Sequence, residues 1–450
     1  VPTGFLALMD DNIPQEGVIS PDFVWIKKRS GTAQHYLFDT VRGAGKDLHS
    51  DDDDPEVSSV ETLKSFDSQG FTVGLTTDIN DKDTTYAAWT WKAGGPAPTQ
   101  TYAVTVVEDG GQKYYRFDGN STNSIALTLQ QGGTYTFDQS DSSNALGGAA
   151  HPLRFSTTSD GTHGGGSEYT VGVTTTGTPG TSGAKTVITV AWGAPTLYYY
   201  CSSHSGMGGQ VNTIETRGSS NLKGSIPSIV SANTTAGFSI VSFTGNSTNP
   251  STIGHGLSSA PEMIIYKSRE ATNGTWYVGH DDIGWTDRLK LDTDTTPAAS
   301  SALWNNTAPT NSVFTISSSL NYNGDGIIAY CFHSVDGYCK VGSYKGNGSS
   351  SDGTFSYTGF RPAWLLVKTI SSSNRWVLFD SARSTTNPVE EKHELNPDDT
   401  SSEGTSGTDC FDFLSNGFKL RRTGNVFNTS GHSYIYLAFA EAPFKFANAR

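Results

Sequence analysis

The residues best suited to chemistry lie in one short stretch, Cys201-Ser-Ser-His204-Ser-Gly-Met207, with His151-Pro152 fifty residues before the cysteine. A thiolate, two imidazoles and a thioether are the ligand set of a blue-copper centre, in which one Cys and two His form a trigonal plane and a Met binds weakly on its axis. Cys, His and Met spaced by three at the end of a strand form one loop able to wrap a metal from three sides. The remote His must then arrive from another strand. The alternative is a loop that packs as a plug and takes up metal only adventitiously.

The strand leading into this loop is Thr196-Leu-Tyr-Tyr-Tyr. Alternation in Ile125-Ala-Leu-Thr-Leu and Thr134-Tyr-Thr-Phe marks further strands with one buried face. A Gly/Ser/Thr-rich loop covers Ser159 to Gly183. This pattern begins after the linker Gly94-Gly95-Pro96-Ala97-Pro98 and ends near Arg217, so residues 101–217 are predicted to form an inserted domain.

Around the insert the chain repeats itself. Pro21-Asp-Phe-Val-Trp-Ile-Lys27, Pro261-Glu-Met-Ile-Ile-Tyr-Lys267 and Pro362-Ala-Trp-Leu-Leu-Val-Lys368 share one pattern: Pro, a small or acidic residue, four large apolar residues, Lys. A short apolar run of this kind predicts a fully buried strand. Leu37-Phe38-Asp39-Thr40-Val41-Arg42 and Leu378-Phe379-Asp380-Ser381-Ala382-Arg383 follow at matching distances, and each copy closes on Tyr86-Ala-Ala-Trp89, Ile328-Ala-Tyr-Cys331 or Tyr436-Leu-Ala-Phe439. Landmarks recurring in order signal repeated modules, placed at residues 1–95, 237–340 and 341–450. Before Pro21 the first copy has only a shortened opening, and the last ends in Ala442-Pro443-Phe444.

Composition fits many short strands. Only 16% of the 450 residues are charged, and Ser, Thr, Asn and 50 Gly fill the deficit, which favours turns over long helices. A net charge of −14 argues against nucleic-acid backbones, which require a basic face, and suits a protein soluble outside a cell. No run of about 20 apolar residues exists to span a membrane as a helix. No signal peptide is visible, and a start at Val1 instead of Met suits numbering that begins inside a longer product. Four Cys make no disulfide framework; Cys331 and Cys339 are read as unpaired buried thiols, a bridge between them being the alternative.

Other candidates have plainer readings. The Asp39/Arg42 and Asp380/Arg383 pairs are expected to bond to each other or to cap backbone groups, since the second copy holds Gly279 and His280 nearby instead. The acidic run Asp51 to Asp54 is read as a solvated loop, His163 as a solvated side chain, and Trp25, Trp276, Trp364 and Trp376 as core. Catalytic spacings are missing, and the chain is read as no enzyme.

Two resemblances cover nearly the whole chain. The Cys201-to-Met207 loop resembles that of the cupredoxins, which implies a Greek-key sandwich with Cys201, His204 and His151 equatorial and Met207 axial. The words Pro-Asp-Phe-Val-Trp-Ile-Lys27, Ser-Phe-Asp-Ser-Gln-Gly-Phe71, Ala-Trp-Thr-Trp-Lys-Ala-Gly-Gly95 and Phe-Arg-Pro-Ala-Trp-Leu-Leu-Val-Lys368 resemble a family of phage virion proteins of tail-fibre type, found in marine and cyanobacterial phages. The expectation is an all-β chain of tandem, jelly-roll-like β-sandwich repeats plus one cupredoxin-like sandwich. Its expected place is the virion, extracellular, as a homo-oligomer contacting other virion proteins and a host-surface receptor, a glycan among the candidates. Copper is the candidate cofactor. The rivals are a secreted blue-copper electron carrier and a stand-alone glycan-binding protein.

Overall fold

The computed structural model describes residues 20–270, 274–424 and 426–441. The expected shortening before Pro21 and the ending at Ala442 to Phe444 lie outside these. The fold is all-β, built from several mostly antiparallel sheets. Among the described residues no helix is long and apolar enough to cross a membrane.

The chain divides into two compact units. One takes the described residues up to Ala93, then Ala232–Ser251 and everything from His255; the other takes Gly94–Ser231 with Thr252–Gly254.

In the larger unit the three repeats form equivalent sheets. The central strands are Phe23–Lys28, Met263–Ser268 and Pro362–Thr369. Each pairs on one side with the next strand (His35–Asp39, Tyr277–His280, Trp376–Asp380) and on the other with the strand closing its copy (Tyr86–Trp91, Gly326–Phe332, Ser433–Ala440). Opening strands Phe238–Thr244 and Cys339–Lys345 extend copies two and three. In the third copy a second sheet, in the order Phe355–Tyr357, Gly417–Leu420, Asp409–Leu414, Val389–Glu390, completes a sandwich.

The apolar runs are continuous because both faces of each central strand are buried. Side chains alternate across a strand. Phe23, Trp25, Met263, Ile265, Trp364 and Leu366 therefore meet in one core shared by all three copies. Val24 and Ile26 face a core local to the first copy, and Leu365 and Val367 one local to the third. The three repeats close around one aromatic interior; Phe23 against Tyr330 at 4.5 Å, Phe332 against Phe439 at 6.1 Å and Trp91 against Trp364 at 5.5 Å are among its cross-copy contacts.

Polar joints at the rim repeat the symmetry. The lysine one place before the end of each central strand has its side chain fully buried and donates to a backbone carbonyl of a neighbouring copy: Lys27 to Thr400 (3.1 Å), Lys267 to Asp53 (3.2 Å), Lys368 to Asp294 (2.9 Å). The same carbonyls accept the backbone N–H of Ala33, Gly274 and Asn374. First copy reaches third, second reaches first, third reaches second, so the ring closes. Trp276 and Trp376 add indole N–H bonds in the same sense, to the carbonyls of His49 and Lys290. His35 holds that position in the first copy and accepts from Trp25 instead.

The smaller unit is a two-sheet sandwich. One sheet runs Leu127–Gln130, Gly209–Ile214, Leu197–Cys201, Leu153–Ser156; the other runs Val173–Thr176, Lys185–Thr189, Thr134–Asp138, Thr99–Asp109, Gln112–Phe117. Tyr135 and Phe137 point inward while Thr134 and Thr136 do not, as the alternation requires. They meet Phe155, Leu197 and Tyr199 from the facing sheet.

Candidate metal centre

Strand register brings the remote histidine to the cysteine. Cys201 ends its strand opposite Leu153, so His151, two residues before Leu153, lies beside the thiol. Ser202 N–H donates to the Pro152 carbonyl at 3.1 Å and extends the pairing past the strand ends. Sγ of Cys201 is 3.9 Å from Nδ1 of His151 and 3.6 Å from Nδ1 of His204, and the three donor atoms all lie within 4.8 Å of one another. Cys201 and His151 are buried, while His204 is half-buried. Met207 is fully buried in the same core as Cys201.

The surrounding bonds fix the ring of His151 and the backbone of the ligand loop. His151 Nε2 is 3.1 Å from the Leu146 carbonyl, which only accepts; the proton therefore sits on Nε2 and the Nδ1 lone pair faces the thiol. Burial, reinforced by His204 and Lys113 nearby, keeps this imidazole below its ordinary pKa despite the Leu146 carbonyl. The Gly/Ala-rich segment ahead of His151 is fixed by buried Asn144, which donates to the Val104 carbonyl at 2.8 Å and accepts from Gln139 at 3.1 Å. The far side of the loop is tied by Gly206 N–H to Asp160 (2.9 Å) and by Tyr115 N–H to the Met207 carbonyl (3.2 Å). Gly208 is required sterically, because a Cβ there would lie 1.8 Å from the Tyr199 carbonyl oxygen.

One thiol, two imidazole lone pairs and a buried thioether suit copper better than harder ions. Copper held by His151, Cys201, His204 and Met207 would supply one-electron transfer between its two oxidation states. The chain's own share is to orient the imidazoles and keep water from the thiol.

The remaining candidates fall elsewhere. Asp39 bonds Arg42 at 2.5 Å and Asp380 bonds Arg383 at 2.6 Å, all with buried side chains. These pairs belong to larger clusters at two of the three joints. Glu56 bridges Arg42 (3.1 Å) and Arg269 (2.8 Å), with Tyr330 on Asp39; Glu403 bridges Arg383 (2.7 Å) and Arg29 (2.9 Å), with Trp89 on Asp380. Asp51 to Asp53 are half-buried, not solvated, because their loop builds a joint; only Asp54 is exposed. His163 is exposed, but its Nε2 lies 3.1 Å from the Cys201 carbonyl. The four tryptophans are core, and all four cysteines are free and buried. The sequence reading missed the buried lysines, although their place at the end of all three apolar runs was a signal.

Fold and site together define an all-β protein in which a three-repeat unit carries an inserted sandwich bearing a Cys-His-His cluster. The chain belongs to the family described as a domain of unknown function, DUF7483, whose model matches residues 12–136 and 213–443. The unmatched stretch between these two ranges contains all four candidate ligands. No curated protein and no solved structure matches the chain.

Proposed function

We propose that the chain is a phage virion protein, a component of a fibre, spike or other appendage that contacts the host surface as a homo-oligomer among other virion proteins. The closed ring of joints supports this reading. Three sandwiches that each clasp the next make a body without a hinge between copies, and their turns are then presented from a rigid frame, which suits surface recognition. Cryo-electron microscopy of purified particles tests it: symmetric density matching the three-repeat unit is expected on the particle surface. A chain that is absent from particles and stays monomeric removes the proposal.

A second reading, favoured by the convergence of three donor atoms, makes the smaller unit a cupredoxin-like copper module. Cu(II) added to the purified chain should then give an intense visible thiolate-to-copper band that Cys201→Ser abolishes. A band that survives this substitution, or no band at all, eliminates copper binding at Cys201.

A further inference from the structure

The third copy leaves two aromatic rings in solvent. Phe355 and Tyr357 are 42% and 66% exposed, while Ser356 between them is buried. Both rings thus project from one face of a strand, roughly 7 Å apart along it. The strand lies at the edge of its sheet, and the neighbouring edge strand Cys339–Lys345 forms the other long side of a cleft of about 720 Å³. That is an ordinary volume for a small-molecule site. The far wall comes from the second copy and carries Glu262, Asp281 and Asp282. Trp285 Nε1 donates to one Asp281 oxygen at 2.7 Å, and the Ser334 N–H donates to one Glu262 oxygen at 2.5 Å, so each of these two carboxylates is held in place through one oxygen. Gly342 keeps the floor open, because a Cβ there would lie 2.8 Å from the Tyr436 hydroxyl.

We infer that this cleft binds neutral oligosaccharides, an inference that rests on the host-contact role and names its ligand class. Exposed rings side by side offer flat apolar faces to the C–H faces of sugar rings. Sugar hydroxyls both donate and accept, and the cleft supplies acceptors in its carboxylates and donors in Lys340 and Lys345. Three carboxylates against two ammonium groups leave too little net charge to select a polycationic peptide, the other ligand that aromatic and acidic groups attract.

The test is binding of the full chain to an array of neutral hexose and N-acetylhexosamine oligosaccharides, with acidic glycans and a lysine-rich peptide alongside. Neutral glycans should bind. Phe355→Ala and Tyr357→Ala should each weaken binding roughly tenfold, equivalent to about 1.4 kcal/mol, with an unchanged melting transition. Should either fold poorly, Asp282→Asn on the exposed wall gives a second reading, and several-fold weakening is expected. No neutral glycan bound, a preference for the peptide, or binding indifferent to these changes overturns the inference. Labelled chain adsorbing to bacterial cells separates the two proposals. Adsorption that persists in the double aromatic variant discards the cleft and keeps host contact, whereas glycan binding by a chain absent from virions does the reverse.

Discussion

Glu56 is clamped between the guanidinium groups of buried Arg42 and half-buried Arg269, and its charge offsets the burial of Arg42. Burial alone would raise its pKa, but hydrogen bonds from Arg269 and Arg42 and their charges outweigh that and hold the carboxyl below its usual value. Glu56→Ala leaves buried Arg42 with Asp39 still beside it and half-buried Arg269 without this carboxylate, and should cost about 1–3 kcal/mol in urea unfolding. The third joint shows another solution. There the register puts His280, Ile283, Pro297, Ile370 and Leu437 where the first-to-second joint has Asp39, Arg42, Glu56, Arg269 and Tyr330. Buried ion clusters exchanged whole for apolar groups are often energetically neutral. Transplanting the other four residues, with Ala at position 56 so that its N–H keeps the 2.7 Å bond to the carbonyl of residue 269, should therefore bring stability back to within about 1 kcal/mol of wild type; a transplant as unstable as Glu56→Ala would contradict this. His49 gives a pH signature. Burial alone would lower its imidazole, but Asp47 and Asp52, each 3.3 Å from a ring nitrogen, raise it to about 9. A folded pKa above the unfolded one gives stabilisation that is complete below about pH 6.5 and lost as pH rises through 9. Between pH 7 and 8 the stability of wild type relative to His49→Gln should therefore fall by up to about 1.4 kcal/mol per pH unit, read as the difference between the two unfolding free energies. Lys27, Lys267 and Lys368, each pushed down by burial to about 8, act in the opposite sense across the same window, but they do so in both proteins and cancel in the difference.

Among the elements, the central strands were legible because they are buried on both faces, which writes an unbroken apolar word into the chain. The strands of the smaller unit were legible for the opposite reason, one buried face giving alternation. The joints were not legible, since Thr400, Asp53 and Asp294 act through backbone carbonyls that no residue type announces. Of the candidate ligands, Cys201, His204 and Met207 could be singled out from local spacing, and the structure gathers Cys201 and His204 with His151. His151 was only a candidate until the residues after it were seen paired with the strand of Cys201, and Phe355 and Tyr357 carried no signal to single them out, because exposure leaves no mark in a three-residue strand. The ligand loop depends on the close approach at Gly208. Gly208→Ala should destabilise the smaller unit by about 2–3 kcal/mol and weaken any copper band. Gly148, whose added Cβ would meet nothing within 4 Å, is the control position and should tolerate Asn with little change in melting.

At the scale of the molecule, the larger unit is interrupted at one point only by a long excursion of chain. Lys92 and Asn233 flank that point and touch: Asn233 Nδ2 donates to the Lys92 carbonyl at 3.3 Å. Inside the smaller unit Gly94 N–H likewise donates to Ser231 Oγ at 2.9 Å. Each unit therefore has its cut ends together. Replacing residues 94–231 by two or three glycines should leave a larger unit that still unfolds in one cooperative transition, measured by circular dichroism, and lacks any copper response. Loss of that transition would mean that the three copies need the excursion to fold. Termini that meet make the break between Lys92 and Asn233 a socket. Payload domains of unrelated shape and chemistry can be plugged in there or left out during evolution, and the surrounding scaffold needs no redesign to receive them.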